Sequence, residues 1–178
     1  MASIGHIAVG MAAGRWCADP KGRHTTSTLM LALSGLSLLP DADVVAFVLR
    51  IPYEAPWGHR GATHSIAMAI AVGLMVAAVW PALGRAHRAR WAVVATLVVM
   101  SHGLLDTLTD GGLGAALAWP LSDARIFAPW RPLAVAPIGM GLLTARGMRV
   151  MLVETLIFAP LFAYALWPRG HSPATTPR

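Results

Sequence analysis

The sequence predicts an all-α, polytopic membrane helix bundle with four to five hydrophobic helices, some of them half-length or broken. Of its 178 residues, 56% are hydrophobic and only 12% are charged, whereas soluble domains carry about 45–50% apolar and about 25% charged residues. The apolar residues fall into stretches that are separated by short polar loops. This composition excludes a disordered chain and an ordinary soluble enzyme.

The first two apolar stretches are short or interrupted. Residues Ser3 to Cys17 are fewer than the roughly 20 that a spanning helix needs, and Gly10 and Gly14 favour the close approach of another helix. The second stretch runs from Thr28 to Val48 and contains Pro40, which disfavours helix at the preceding residue. We therefore expect its first helix to end near Pro40.

The later stretches are longer. Thr63 to Leu83 is long enough to span a membrane, and Thr63 is a plausible N-cap for it. The next stretch runs from Trp91 to Leu108. The last runs from Val150 to Trp167, where Pro160 predicts a kink.

Two further segments complete the predicted organisation. Residues Leu133 to Leu143 are apolar but short and contain Pro137 and two glycines, which favours a re-entrant or broken helix. We expect residues 1–167 to form a single membrane-embedded domain and residues 168–178 to form a disordered tail.

The charges indicate membrane contact and an orientation. The net charge is +6, but the basic residues lie in short loops, so we expect contact with membrane lipids and no nucleic-acid partner. Alternating helices would place the groups around Lys21, Arg85 and Arg146 at the cytoplasmic face. The single cysteine, Cys17, excludes an internal disulfide and a cysteine-rich metal site.

Histidine and aspartate recur near the ends of these apolar stretches. Ionisable residues inside apolar helices cost about 2.5–3.5 kcal/mol each, so each needs a partner or a function. His102 and Asp106 lie four residues apart on one helical face, and Asp110 is expected to extend that face by another turn. Helix alternation brings three further residues to the same membrane level: His6, Asp41 and His64.

Imidazole and carboxylate groups together predict a site for a divalent metal ion, with zinc the first choice and manganese or iron also compatible. One ion, or two ions bridged by an aspartate, would activate water. Asp43 or Asp110 would act as general base, and Arg60 would stabilise an anionic oxygen. The predicted metal ligands are His6, Asp41, Asp43, His59, His64, His102 and Asp106.

Several ordered motifs resemble a known family. His6, PDAD at 40–43, HRGATHS at 59–65 and HGLLDTLTDGG at 102–112 together are similar to the YdjM-like family of membrane-bound, metal-dependent hydrolases. The segment WPLS at 119–122 resembles the tryptophan-proline segment that follows in that family. The resemblance covers about residues 1–130 and is carried by motif order. It implies a multi-helix inner-membrane protein with metal-dependent hydrolase activity, and it does not name the substrate.

The depth of the predicted site favours a lipid or lipid-linked phosphoester over a soluble polymer. We therefore expect a hydrolase of the inner membrane whose site opens on the face opposite the cytoplasm. Two alternatives use the same residues: a metal-ion or proton transporter, and a non-enzymatic membrane adaptor in which a structural metal joins the helices. The sequence does not determine the oligomeric state.

Overall fold

The computed structural model describes residues 3–18, 26–79 and 85–168. Within these ranges the chain is helical, with two isolated β-bridges and no strand, so the all-α prediction is confirmed. The α-helices are α1 (Ser3–Cys17), α2 (Thr26–Leu38), α3 (Val45–Val48), α4 (Ile66–Val79), α5 (Arg85–Thr107), α6 (Ala145–Ile157) and α7 (Ala159–Leu166). Short 3-10 helices cover Leu39–Val44, Ala62–His64 and Gly139–Leu143.

Helices α1 and α2 pack closely where α1 carries glycine. A Cβ atom on Gly10 would collide with the backbone of Ser34, and one on Gly14 would collide with the backbone of Met30. The Ser34 hydroxyl also donates a hydrogen bond to the carbonyl oxygen of Ile7 at 3.2 Å. The predicted close approach of a second helix to these glycines is confirmed.

Pro40 ends α2, as the sequence predicts. Helix α2 stops at Leu38, and the chain continues as the 3-10 helix Leu39–Val44 with Pro40 in its first turn. The tighter 3-10 winding rotates successive side chains differently from an α-helix. Within this turn Asp43 is buried, whereas Asp41 is only partly buried.

The start of α4 differs from the prediction. Thr63 lies in the 3-10 helix Ala62–His64, and α4 begins at Ile66. The Ser65 hydroxyl oxygen accepts a hydrogen bond from the backbone N–H of Met68 at 3.0 Å, the geometry of an N-cap. The prediction that Thr63 caps this helix is wrong because its hydroxyl donates to Asp43 instead.

The C-terminal apolar stretch is bent at the predicted position. Helices α6 and α7 meet at an angle of 61°, and Pro160 lies in the first turn of α7. The predicted kink is therefore confirmed. The segment 133–143 is helical only in its second half, and of the predicted tail only Pro168 belongs to the described residues.

One helical stretch within the described ranges, Thr26–Val48, is long and apolar enough to cross a membrane, and the bent pair α6 and α7 would supply a second span. Only 28% of the Thr26–Val48 window is buried, whereas a core helix of a soluble protein is mostly buried. Other helices expose leucines, among them Leu74, Leu97 and Leu156. Exposed apolar surface on several helices favours contact with lipid, and any further span stays a prediction.

Candidate metal centre

Four side chains from three segments meet at one end of the helix bundle, and we call them the four-residue cluster: Asp41, His64, His102 and Asp106. His64 Nε2 lies 3.1 Å from His102 Nε2 and 3.3 Å from Asp106 Oδ2. Asp41 Oδ1 lies 3.2 Å from His102 Nε2. Three of the four residues are buried, but the Asp41 side chain is 27% exposed, so the cluster is reachable from outside through this carboxylate.

A glycine in α5 allows the segments to come together. A Cβ atom on Gly103 would collide with the backbone carbonyl oxygen of His64. Because glycine has no Cβ, the 3-10 helix Ala62–His64 can lie directly against α5. This contact brings His64 to its neighbour His102.

Hydrogen bonds behind each imidazole determine which ring nitrogen faces the cluster. His102 Nδ1 lies 2.7 Å from the carbonyl oxygen of Ser37, and because a carbonyl can only accept, this nitrogen carries the hydrogen. His64 Nδ1 lies 3.0 Å from the Thr63 hydroxyl oxygen and 3.2 Å from Asp43 Oδ2. Because that hydroxyl donates to Asp43, both oxygens act as acceptors towards this nitrogen. In the neutral imidazoles each Nε2 presents a lone pair, and the two lone pairs then face each other beside two carboxylates. Such a set of acceptors needs a cation or a shared proton at its centre.

The distances within the cluster suit a tetrahedral divalent ion. Zinc bonds to imidazole nitrogen and carboxylate oxygen are about 2.0–2.2 Å long, so tetrahedral ligand atoms lie about 3.3–3.6 Å apart. The measured pairs span 3.1 to 3.8 Å. All four ligand atoms lie within 4.8 Å of one another. The cluster could therefore hold a metal ion.

The charges around the cluster favour a single ion. Arg60 is buried, and its Nε lies 3.2 Å from Asp106 Oδ2. If the imidazoles are neutral, the carboxylates of Asp41, Asp43 and Asp106 together with this guanidinium carry a net charge of minus two. Uncompensated buried charge is costly. One divalent cation at the cluster would balance these groups. A second group that could hold an ion, formed by Asp41, Asp43 and His59, shares Asp41 with the cluster.

Asp43 lies behind the cluster and contacts two histidines. Its Oδ1 lies 2.6 Å from His59 Nδ1. Its Oδ2 accepts hydrogen bonds from the Arg60 backbone N–H at 3.0 Å and from the Thr63 hydroxyl at 2.6 Å, and also contacts His64. Protein donors thus engage both oxygens, as for carboxylates that orient metal-ligating histidines. The roles of Asp43 as ligand and as general base stay predictions.

His6 lies beside the cluster on α1. Its ring stacks on His102 with centroids 3.6 Å apart, and its Nε2 lies 3.6 Å from Asp106 Oδ1. Neither of its ring nitrogens has a hydrogen-bond partner within the described residues. The neighbouring Gly5 N–H donates to Glu154 Oε2 at 3.4 Å, so a buried carboxylate from α6 also reaches this end of α1. A metal-ligand role for His6 stays a prediction.

Arg60 is held firmly by the loop that follows α5. Its backbone φ is 61°, in the left-handed region that residues with side chains rarely adopt. Nη1 donates hydrogen bonds to Thr109 Oγ1 at 2.9 Å and to the Gly111 carbonyl oxygen at 3.1 Å. These contacts direct the guanidinium onto Asp106. Stabilisation of an anionic substrate oxygen by Arg60 stays a prediction.

Asp110 lies away from the cluster. Helix α5 ends at Thr107, so Asp110 does not extend its polar face, and this expectation is wrong. The Asp110 carboxylate is exposed and accepts a hydrogen bond from the Val135 N–H at 2.7 Å. In this position it fastens the segment that follows Leu133. Within the described residues Asp110 makes no hydrogen bond or ion pair with the cluster, so its role as general base stays a prediction.

Arg125 is a structural residue of the site that the sequence does not reveal. It donates hydrogen bonds at 3.0 Å to each of three carbonyl oxygens, those of Tyr53, Ala55 and His59. Burial lowers the pKa of Arg125 and raises the pKa of Tyr53. Because every residue has a backbone carbonyl, the sequence does not indicate which carbonyl oxygens an arginine side chain will contact. Arg125 holds the loop that carries His59.

A cavity of about 550 Å³ opens beside the cluster. Its polar part includes Asp41, Tyr53, His59 and Arg60. Its wall is apolar and is formed by Val44, Val135, Pro137, Ile138 and Leu142 among others. A molecule with a polar group and an apolar chain would match both parts.

The cavity also corrects one element of the predicted topology. Leu142 lines it and lies three residues before the start of α6 at Ala145, so Arg146 lies near the cavity end of the bundle. At the opposite end, Arg15 Nη1 donates to the carbonyl oxygen of Ala165 at 3.3 Å. The expectation that Arg146 lies at the same end as Arg85 is therefore wrong, because α6 starts at the cavity and α7 leads away from it.

Comparison with known proteins agrees with the membrane character of these helices. The family model described as YdjM inner membrane protein matches residues 1–171. The inner membrane protein YbcI of Escherichia coli (strain K12) is 39% identical over 122 residues, which cover 68% of this chain and 70% of YbcI. No solved structure matches the chain. The chain therefore belongs to the YdjM family of inner membrane proteins.

Proposed function

We propose that this protein is a membrane-bound, metal-dependent hydrolase that cleaves a phosphoester or related bond in a lipid or lipid-linked substrate. The observation that carries the proposal is the 3.1 Å contact between His64 Nε2 and His102 Nε2 beside two carboxylates, where two neutral imidazoles would oppose acceptor to acceptor. Polar groups that merely join helices pair donors with acceptors. Opposed acceptors at the edge of an open cavity favour a cation with a chemical function.

The four-residue cluster would hold one divalent ion, and its two nitrogen and two oxygen donors suit zinc, with manganese and iron also compatible. When bound, such an ion would stabilise negative charge on a substrate oxygen, and with a position left open beside the partly exposed Asp41 it would also lower the pKa of a coordinated water. The Ser37 carbonyl and the Asp43 carboxylate keep both Nε2 lone pairs directed inwards. The partly exposed Asp41 marks the side from which substrate and water arrive.

The cavity supports a lipid substrate. Its polar part, with Asp41 and His59, lies next to the cluster, and its apolar wall extends along Ile138 and Leu142. Burial of acyl-chain methylenes on such a wall contributes about 0.8 kcal/mol each. A phosphorylated headgroup would occupy the polar part, and the membrane itself would supply the substrate.

We also propose that the cavity lies on the membrane face opposite the cytoplasm. Helix α5 begins with Arg85, Arg88 and Arg90 and ends at the cluster, so its basic end is the end away from the cavity. Basic residues next to apolar helices favour the cytoplasmic side. The cavity end carries arginines as well: Arg60 and Arg125 are engaged in the hydrogen bonds described above, and Arg146 lies near the start of α6.

The test compares the wild-type protein with His102→Gln, both purified in detergent. Elemental analysis should find one divalent ion per wild-type chain and a clear loss in the variant, because the amide cannot replace the directed imidazole lone pair. Phosphate release is then measured with phosphatidic acid, phosphatidylglycerol phosphate and polyprenyl diphosphate. We expect metal-dependent release from at least one of them, and at least a 100-fold lower rate with His102→Gln.

Wild-type protein with one bound ion that leaves all three lipids intact would contradict the proposal. If the same protein in proteoliposomes carried metal ions across the bilayer, and Asp106→Ala abolished the flux, the transporter would be the correct interpretation. If removal of the ion unfolded the protein and no turnover occurred, the ion would have only a structural role.

A further inference from the structure

We propose that His59 is the general acid of the hydrolytic site, donating a proton from Nε2 to the leaving oxygen of the substrate while Asp43 holds its ring. This inference rests on the hydrolase function proposed above. It assigns His59 a role different from the metal ligand that the sequence predicts.

The distance between His59 and Asp43 favours a hydrogen bond over shared metal ligation. His59 Nδ1 lies 2.6 Å from Asp43 Oδ1. Two ligand atoms of one tetrahedral ion would lie about 3.3–3.6 Å apart, so Nδ1 and Oδ1 are bonded to each other and do not share an ion. The Nδ1–H group donates to the carboxylate, which leaves Nε2 for another partner. Other atoms of Asp41, Asp43 and His59 could still hold one, and the metal content of the His59 variant below decides between these roles.

The surroundings of His59 restrict its ring to one orientation. The ring has Phe47 and Tyr53 as aromatic neighbours, with centroids 5.5 and 5.4 Å away. Arg125 donates to the His59 carbonyl oxygen and so holds the backbone. The His59 side chain is only 9% exposed, yet the residue lines the cavity together with Asp41. A substrate in the cavity would therefore meet both His59 and Asp41, the cluster residue that lines it.

Other polar groups of the cavity are poorer proton donors. The Arg60 guanidinium is paired with Asp106 and hydrogen-bonded to the loop after α5, so it is held away from a leaving group. Burial raises the pKa of the Tyr53 phenol above its ordinary value, which makes it a weaker acid. Tyr53 is nevertheless the appropriate control because it lines the same cavity.

The proton balance of the step is simple. Water adds to phosphorus, the bond between phosphorus and the lipid oxygen breaks, and the electron pair of that bond goes to the leaving oxygen. The Nε2 proton of His59 moves to this oxygen, which leaves as an alcohol. The attacking water releases its proton to solvent in the cavity, and solvent returns one proton to His59 before the next turnover.

The experiment compares two substrates with the same acyl chain and different leaving groups. An alkyl phosphate needs protonation of its leaving oxygen, whereas a nitrophenyl phosphate that carries the same chain on its ring does not. General acid catalysis contributes roughly 10²–10⁴-fold, so His59→Gln should lose at least 100-fold on the alkyl substrate and less than 5-fold on the nitrophenyl substrate. Tyr53→Phe should change the ratio of the two rates little.

Two measurements do not depend on turnover. His59→Gln should retain one divalent ion per chain by elemental analysis, because His59 is not a ligand. The proton NMR spectrum of the detergent-solubilised protein should show a strongly downfield imidazole N–H from the short bond to Asp43, absent in His59→Gln. If His59→Gln does not fold, as judged by circular dichroism, His59→Asn is measured in its place.

The possible failures are distinguishable. Wild-type protein that cleaves neither substrate contradicts the hydrolase function itself. Wild-type protein that cleaves both, with the folded His59 variant losing activity equally on the two, contradicts only the general-acid role. Loss of the ion from the folded variant also overturns this inference, because it would make His59 a ligand.

Discussion

At the scale of single residues, the aspartates of the site have different positions although they are chemically alike. Asp41 and Asp106 direct oxygens at the two Nε2 atoms, whereas Asp43 contacts Nδ1 of His64 from behind. Asp110 is exposed and bonded to a backbone N–H. Position relative to the imidazoles, and not residue type, separates a candidate ligand from an orienting carboxylate.

This difference predicts how Asp43→Asn and Asp110→Asn change metal affinity. The side-chain amide of an asparagine at 43 can donate to His64 Nδ1 as well as accept from it. The hydrogen of His64 would then no longer be fixed on Nδ1, so we expect about 10–100-fold weaker metal binding. Asp110→Asn should change the affinity less than 2-fold. Competition with a fluorescent zinc chelator measures both. Equal affinities for the two variants would contradict the orienting role of Asp43.

At the scale of helices, close packing and helix breaks bring the cluster together. Gly10 and Gly14 let α1 lie against α2, and this contact places His6 beside the cluster. The break at Pro40 lets the chain turn so that Asp41 reaches His102. In a membrane the hydrophobic effect does not drive helices together, because lipid tails are as apolar as the side chains. Helix contact therefore depends on close van der Waals packing, which small residues allow.

Two glycine substitutions test this packing. Gly10→Ala inserts a methyl group into the Ser34 backbone, whereas Gly35→Ala meets open space in the neighbouring helix. We expect Gly10→Ala to lower the free energy of unfolding by about 1–3 kcal/mol. Gly35→Ala should not lower it, because alanine is the better helix former. Thermal unfolding in detergent compares them, and equal stability of the two variants would contradict the close contact.

At the scale of the whole molecule, the polar cluster and the cavity lie at one end, and the start of α5 with its arginines lies at the other. Exposed apolar side chains cover several helices between these ends. This arrangement gives the protein two distinct faces in a membrane. It also makes the orientation measurable.

The orientation is tested with single cysteines in a Cys17→Ala background. Ser122→Cys lies in an exposed loop at the cavity end, and Ala89→Cys is exposed near the start of α5. In intact cells a membrane-impermeant maleimide should label Ser122→Cys and leave Ala89→Cys unlabelled until the membrane is permeabilised. The reverse pattern would place the cavity on the cytoplasmic face.

The sequence by itself determined the helical class, the break at Pro40, the kink at Pro160 and the glycine contact of α1. These features depend on local rules of hydrophobicity, proline geometry and residue size, which a linear pattern carries. It also predicted that histidines and aspartates of distant segments lie at one level. Only the tertiary structure decided which ring nitrogen faces the cluster, because a tautomer depends on partners such as Ser37 and Asp43 from other segments. The contacts of Arg125 and the exposed position of Asp110 depend in the same way on the paths of loops, which no sequence periodicity predicts.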